Sequence, residues 1–218
     1  IIKITKKYAV GKIEKFISQS QDRIESDCPH YKQCGGCSFR HMTYESELFI
    51  KHKYVHDTLA KIGGFNDIEI NPIIKAQEIN YYRNKTQIPV RKDDKGKVEI
   101  GFFKPHSHNV IDCANCLLHP PEFNQIVEVI KLWINKYNIS VYNECEHAGI
   151  IRHIYLRYSE YSKDILVCLV VNNENVPFTN ELVKMLLDLS CGISGVILNI
   201  NPLNTNVILG KHCKTLWG

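Results

Sequence analysis

Long apolar runs are missing from this chain of 218 residues. None approaches the roughly 20 residues that cross a bilayer, and no basic–apolar–small secretory signal is visible. No G-x-G-x-x-G occurs, and no parallel βαβ unit with a glycine-rich turn can be placed. That makes the segment a poor candidate for a nucleotide or methyl-donor pocket of the doubly wound kind. A nucleophile pattern is lacking too. Cys191 opens Cys191-Gly192-Ile193-Ser194-Gly195, but no base is identifiable near it. Strong charge of either sign is also absent. With 27 Lys and Arg against 23 Asp and Glu, the net charge is +4, which permits a polyanionic partner without demanding one. The chain does not start with Met. Ile1-Ile2-Lys3-Ile4 reads like a strand interior and Leu216-Trp217-Gly218 reads as cut, so a piece of a longer protein is expected.

Cysteine is what the chain has in plenty. Three thiols fall in Cys28-Pro29-His30-Tyr31-Lys32-Gln33-Cys34-Gly35-Gly36-Cys37, a C-x5-C-x2-C pattern. The C-x2-C step lets two thiolates converge on one centre, and the paired glycines let the backbone bend around it. The best candidate for a fourth ligand is Cys116, in Cys113-Ala114-Asn115-Cys116. Such a set suits either a structural zinc ion or an iron–sulfur cluster. Without a secretory signal, a reducing, cytoplasmic compartment is the natural setting. Cys145, Cys168, Cys191 and Cys213 then read as free thiols, with Cys168 a small buried hydrophobe inside Ile165–Val171.

Periodicity organises the rest. Residues 1–25 read as the last one or two strands of a small β domain, and 26–41 as a cysteine loop held by its metal. Residues 43–62 read as a helix. Thr43 caps it, Tyr44, Leu48, Val55, Leu59 and Ile62 form its apolar stripe, and Gly63-Gly64 ends it. His52 and His56 on that helix read as a solvated face. Beyond it the pattern is hairpin, helix, hairpin, helix, hairpin. The hairpins are 81–91 with 98–103, 150–158 with 164–171, and 195–200 with 206–209; the helices are 121–137 and 177–189. The fold class is therefore α+β: a mainly antiparallel sheet with helices on one face, occupying 42–218.

Two strands carry a basic face. Period 2 puts Arg83, Lys85, Gln87 and Arg91 together in the first, with Tyr81 beside them. In the second it puts His153, Tyr155 and Arg157 together, with Arg152 opposite. Cations interleaved with aromatics suit phosphates and stacked bases. His153 is a candidate to titrate near neutrality. His106 and His108 lie in a polar loop that could face nucleic acid or the thiol site.

Cys28-x5-Cys34-Gly35-Gly36-Cys37, Tyr82-Arg83-Asn84-Lys85, Gly101-Phe102-Phe103 with Ser107-His108 and Ile111-Asp112 before Cys116, and Arg152-His153-x3-Arg157 occur in this order. Together they resemble the RNA uracil-5-methyltransferase family, and in particular its iron–sulfur-containing 23S ribosomal RNA branch. The resemblance implies that 1–25 is the end of a TRAM domain, an OB-like barrel. It implies that 26–41 is the cluster loop and 42–218 a central RNA-binding domain. A 4Fe-4S cluster would sit on Cys28, Cys34, Cys37 and Cys116. Cys116 fits better than Cys113 because Leu117-Leu118-x-Pro120 follows it. RNA contacts would fall on Arg83, Lys85, Gln87, Arg91, His153 and Arg157. In that family S-adenosylmethionine and the catalytic residues belong to a C-terminal domain that nothing here matches. The implied protein is a cytoplasmic monomer with no membrane contact, and this chain alone would be inactive.

Overall fold

Seven strands form the central sheet, in the order β5-β4-β3-β6-β7-β8-β9. The computed structural model describes every residue except Ala114, which lies inside the predicted 113–116 ligand segment. The chain divides into two units, residues 1–27 with 39–75, and 28–38 with 76–218.

In the first unit, β1 (Lys3–Ile4) and β2 (Ala9–Val10) pair as a two-residue hairpin. The helix α1 (Tyr44–Lys61) starts where Thr43 accepts the Ser46 N–H at 3.3 Å. Its C-cap is Ile62, and Gly64 follows with a φ of +75°. Of the expected apolar stripe only Leu48 is buried; Val55 and Ile62 are exposed. His56 lies against Asp57, which is also paired with Lys53 and Lys61 on the solvated face.

The second unit carries the sheet. β3 (Lys85–Lys92) turns into β4 (Val98–Phe103), where the Asp93 carboxylate accepts the N–H groups of Lys95 and Lys97. β5 (Val110–Asp112) extends the meander. It was not anticipated, because three residues carry too little periodicity to register. Gly101 makes its pairing possible: a Cβ there would lie 1.8 Å from the Ile111 carbonyl oxygen.

After α2 (Pro121–Lys136), β6 (Ile151–Tyr158) and β7 (Ile165–Val171) form the second hairpin. Then α3 (Thr179–Leu187) crosses over to β8 (Ile193–Ile200), which runs parallel to β7. That is the only parallel pair among the described strands. It explains why β7 is apolar along its whole length: it has a strand on each side and is covered on both faces.

The last strand differs from expectation. Residues 206–209 are not a strand; the partner of β8 is β9 (His212–Trp217). The Asn201 amide donates to the carbonyls of Val207 and Ile208, which folds this segment back on itself. Gly210 then passes so close to Ile200 that a Cβ would sit 1.9 Å from its carbonyl oxygen. Strand pairing resumes only beyond that approach.

Alternate residues of four strands build the core: Ile88 and Val90, Ile154 and Leu156, Val167 and Leu169, Val196 and Leu198. They pack against Phe123, Ile126, Ile130 and Trp133 of α2 and against Leu182 and Leu186 of α3. Both helices therefore cover one face. The architecture is α+β with a mostly antiparallel sheet, as expected.

Candidate nucleic-acid interface and thiol site

The two basic faces read from the sequence lie side by side. β3 pairs with β6 so that Lys85 stands opposite Arg157, Gln87 opposite Tyr155 and Pro89 opposite His153. Because residues 88, 90, 154 and 156 point to the helices, these six occupy the other face. Lys85 and Arg157 are exposed, and Gln87 and Tyr155 half-buried.

Arg83 and Tyr81 do not continue this strand, since β3 begins at Lys85. Tyr81 has a φ of 56°, which breaks the extended backbone. Instead the N–H groups of Tyr81 and Arg83 donate to the carbonyls of Leu117 and Leu118, at 2.8 and 2.9 Å. This ties the start of the basic strand to the segment that follows Cys116.

Arg91 stands apart from the open cations. Its guanidinium is paired with Glu144, donates to the Val90 carbonyl at 2.9 Å, and has a side chain only 12% exposed. Glu144 also takes His108, whose Nδ1 lies 3.0 Å from the carboxylate. His106 has a positive φ and points to solvent. His153 departs from expectation. It is buried, its Nδ1 has no partner, and burial pushes its pKa down to about 4, with Arg91 and Arg152 adding to the effect. It is neutral at pH 7 rather than poised there. Arg152 is buried as well. It donates to the carbonyls of Asn201 and Leu203, at 2.6 and 2.8 Å, and lies over the Tyr142 ring.

A groove of about 500 Å3 opens where β3 starts, lined by Arg83, Asn84, Lys85, Thr86, Gln87 and Phe102. Asn84, Thr86 and Phe102 were not singled out as contacts from the sequence. The signal that could have found the groove is Pro89, a residue without an N–H in what otherwise reads as a central strand.

The thiol loop packs beside this groove. The Gly35 N–H donates to the Phe103 carbonyl at 3.3 Å, and the Gly36 N–H points at Cys34 Sγ at 3.4 Å. Cys28 and Cys34 lie near enough to Cys113 and Cys116 to oppose the ionisation of those two. Burial, then Cys116, Cys28 and Cys34, push Cys113 up to about 12; burial, with Cys28 and Cys34, raises Cys116, against a pull from Arg83. Cys113 was not chosen as a ligand from the sequence, yet it is the most buried of the four. Among the described residues no three His, Cys, Asp or Glu side chains converge as a ready metal cage. None of the nine cysteines forms a disulfide, and burial raises Cys168 to about 12 and also raises Cys191. Neither has the depressed pKa of an activated nucleophile.

No family model matches the chain. Among curated proteins it is 40% identical to an "uncharacterized RNA methyltransferase" of Clostridium tetani, over all of this chain and 47% of that protein. It is 41% identical to another of that description from Clostridium acetobutylicum, again over all of this chain and 48% of the relative. The chain spans about half the length of these relatives. Among solved structures, its fold is similar to that of the Pyrococcus abyssi tRNA (uracil-54, C5)-methyltransferase in complex with S-adenosyl-L-homocysteine. The TM-score is 0.67 at 22% identity, covering 92% of this chain and 43% of that one. At that identity the likeness establishes the fold. No helix among the described residues is long and apolar enough to cross a membrane.

Proposed function

We propose that this chain is the RNA-recognition and cluster-bearing portion of an RNA (uracil-5-)-methyltransferase that acts on 23S ribosomal RNA. The observation that carries the reading is the register of β3 against β6, which sets Lys85, Gln87, Tyr155 and Arg157 on one face. An RNA backbone laid there meets two exposed cations flanked by groups that stack or hydrogen-bond. The names of the relatives and the fold of the uracil C5 enzyme support the same reading.

On this reading Cys28, Cys34, Cys37 and Cys116 hold a 4Fe-4S cluster. The chemistry of the donors supports this: the soft sulfurs of Cys28 and Cys34 lie near Cys116 of a distant segment, and Gly36 leaves Cys34 Sγ free of a Cβ that would lie 3.3 Å away. When bound, the cluster supplies a covalent staple. This chain's own residues do the rest. The loop at 28–37 holds Phe103 through Gly35, and the segment after Cys116 holds Arg83 through Leu118. Residues 1–25 serve as the end of a TRAM domain. S-adenosylmethionine and the group that attacks uracil are assigned to a further domain of a cytoplasmic, monomeric enzyme.

Two measurements test this. Protein purified without oxygen should absorb visible light, and Cys34→Ala should abolish the absorbance and lower the melting temperature. A colourless protein holding zinc would replace the cluster with a structural zinc ion. Charge reversal of Arg83 and Lys85 should weaken binding to single-stranded RNA and flatten its salt dependence by about 0.7 per lost phosphate contact. An unchanged slope would remove that face from the interface.

A further inference from the structure

β3 and β4 are splayed apart. Their pairing covers only Val90–Lys92 against Val98–Ile100, whereas β3 pairs with β6 along Lys85–Pro89. Beyond Ile100, β4 turns to β5 instead. Among the described residues, the main chain of Lys85–Pro89 therefore has no paired strand on its β4 side. Alternate residues of an antiparallel strand turn their N–H and C=O groups to alternate neighbours, so part of that edge faces the gap. Pro89 sits inside the gap, where a missing N–H costs no ladder bond. The groove lined by Arg83, Asn84, Lys85, Thr86, Gln87 and Phe102 is this gap.

We propose that the seam between β3 and β4 is a subsite for one unstacked nucleotide of a single-stranded RNA, with Phe102 as its stacking platform and Asn84 and Gln87 as the groups that meet its base edge. The inference rests on the RNA-binding reading above and names a pocket within that surface. The groove's size falls within the roughly 300–1,000 Å3 of small-ligand sites. Phe102 is half-buried and braced, its ring 5.5 Å from that of His119 at 52°. It can therefore take a stacked base without first being ordered. The two amides each carry donors and an acceptor, which suits the mixed edge of a base. Arg83 and Lys85 flank them and place the adjoining phosphates. The cations favour a polyanion over an extended peptide, which would otherwise add to the free edge of β3.

Both rims of the gap are tied to the thiol site. Phe103, next to Phe102, accepts from Gly35, and Arg83 donates to Leu118.

The test uses the 218-residue chain and a fluorescent single-stranded oligouridylate of about ten nucleotides, read by anisotropy. Phe102→Ala should weaken binding about tenfold and leave the salt slope unchanged, because stacking releases no counterions. Phe102→Leu keeps the packing against His119 and should still lose several-fold, so it decides the matter if the alanine variant unfolds. A scan of single abasic sites should reveal one position whose loss matches that of Phe102→Ala and is not additive with it. Additivity at every position would overturn the subsite while leaving RNA binding intact. A neutral extended pentapeptide, pentathreonine, competing as well as the oligonucleotide would make the seam a strand-addition site and equally overturn it. No RNA binding at all would remove both the subsite and the parent reading.

Discussion

Two buried imidazoles should make this domain acid-labile well above the range in which carboxylates titrate. His119 is 2% exposed with neither ring nitrogen partnered; His153 is 8% exposed with Nδ1 unpartnered. Burial is the first cause that lowers both from 6.5 to about 4, seconded at His119 by Arg83 and at His153 by Arg91 and Arg152. The folded state thus binds fewer protons than the unfolded chain. The stabilisation is fully present above the unfolded value of 6.5 and is lost as pH falls from there toward 4. At pH 5 an unfolded imidazole is almost fully protonated and the folded one almost neutral. The loss is then about 2 kcal/mol per histidine, saturating near 3 kcal/mol below pH 4. Together the pair costs roughly 4 kcal/mol at pH 5, a large share of the 5–15 kcal/mol that holds a typical domain. Asp112 and Glu144 are both held below the usual carboxylate range, so their contributions fade only at lower pH and do not confound the window. The assay is urea unfolding of the wild type, His119→Leu and His153→Leu at pH 8 and pH 5. Each leucine variant should gain about 2 kcal/mol on the wild type as pH drops, whatever its stability at pH 8. Curves that stay parallel between the two pH values would refute the burial argument, as would an imidazole seen by NMR to titrate near 6.5 in the folded chain.

Gly101→Ala should disrupt the β4–β5 pairing, since its Cβ would meet backbone at 1.8 Å and neither strand can yield without moving Cys113. A loss of at least about 3 kcal/mol by urea unfolding is expected; a shift under 1 kcal/mol would mean that β5 is not held as described. Lys131→Met removes the 2.5 Å ion pair to Asp112, whose carboxyl is raised by burial and more than offset by the Lys131 ammonium and the Ile100 N–H. It should cost on the order of 2 kcal/mol at pH 7. Because a depressed carboxylate loses its stabilisation as pH falls, that deficit should shrink toward pH 3, and a constant deficit would argue for packing alone.

Where a strand or helix has one wet face, the sequence was enough to place it. The stripe Phe123, Ile126, Val127, Ile130 and Ile134 gave α2 within a residue, and the alternation placed Lys85 and Gln87 on one face of β3 and Tyr155 and Arg157 on one face of β6, though not Arg83 or Tyr81, which precede β3. Alternation could not show that the two faces adjoin, because register is set by long-range pairing that no local pattern encodes. The same limit explains His153. Period 2 gives its face, but burial keeps it neutral, seconded by Arg91 of a strand far away in the chain, and neither is written in the local pattern. The 206–209 strand failed for a different reason: its alternation was real, yet two amide hydrogen bonds from Asn201 outweighed it, which is how side-chain to backbone bonds compete with a ladder. The groove was legible only as a contradiction. Pro89 is out of place in a central strand while its neighbours suit one, and β3 accommodates both: it is paired with β6 along Lys85–Pro89 and with β4 only over Val90–Lys92. A local conflict of this kind marks a place where the chain gives up a ladder bond, and here it falls beside the exposed cations Lys85 and Arg157.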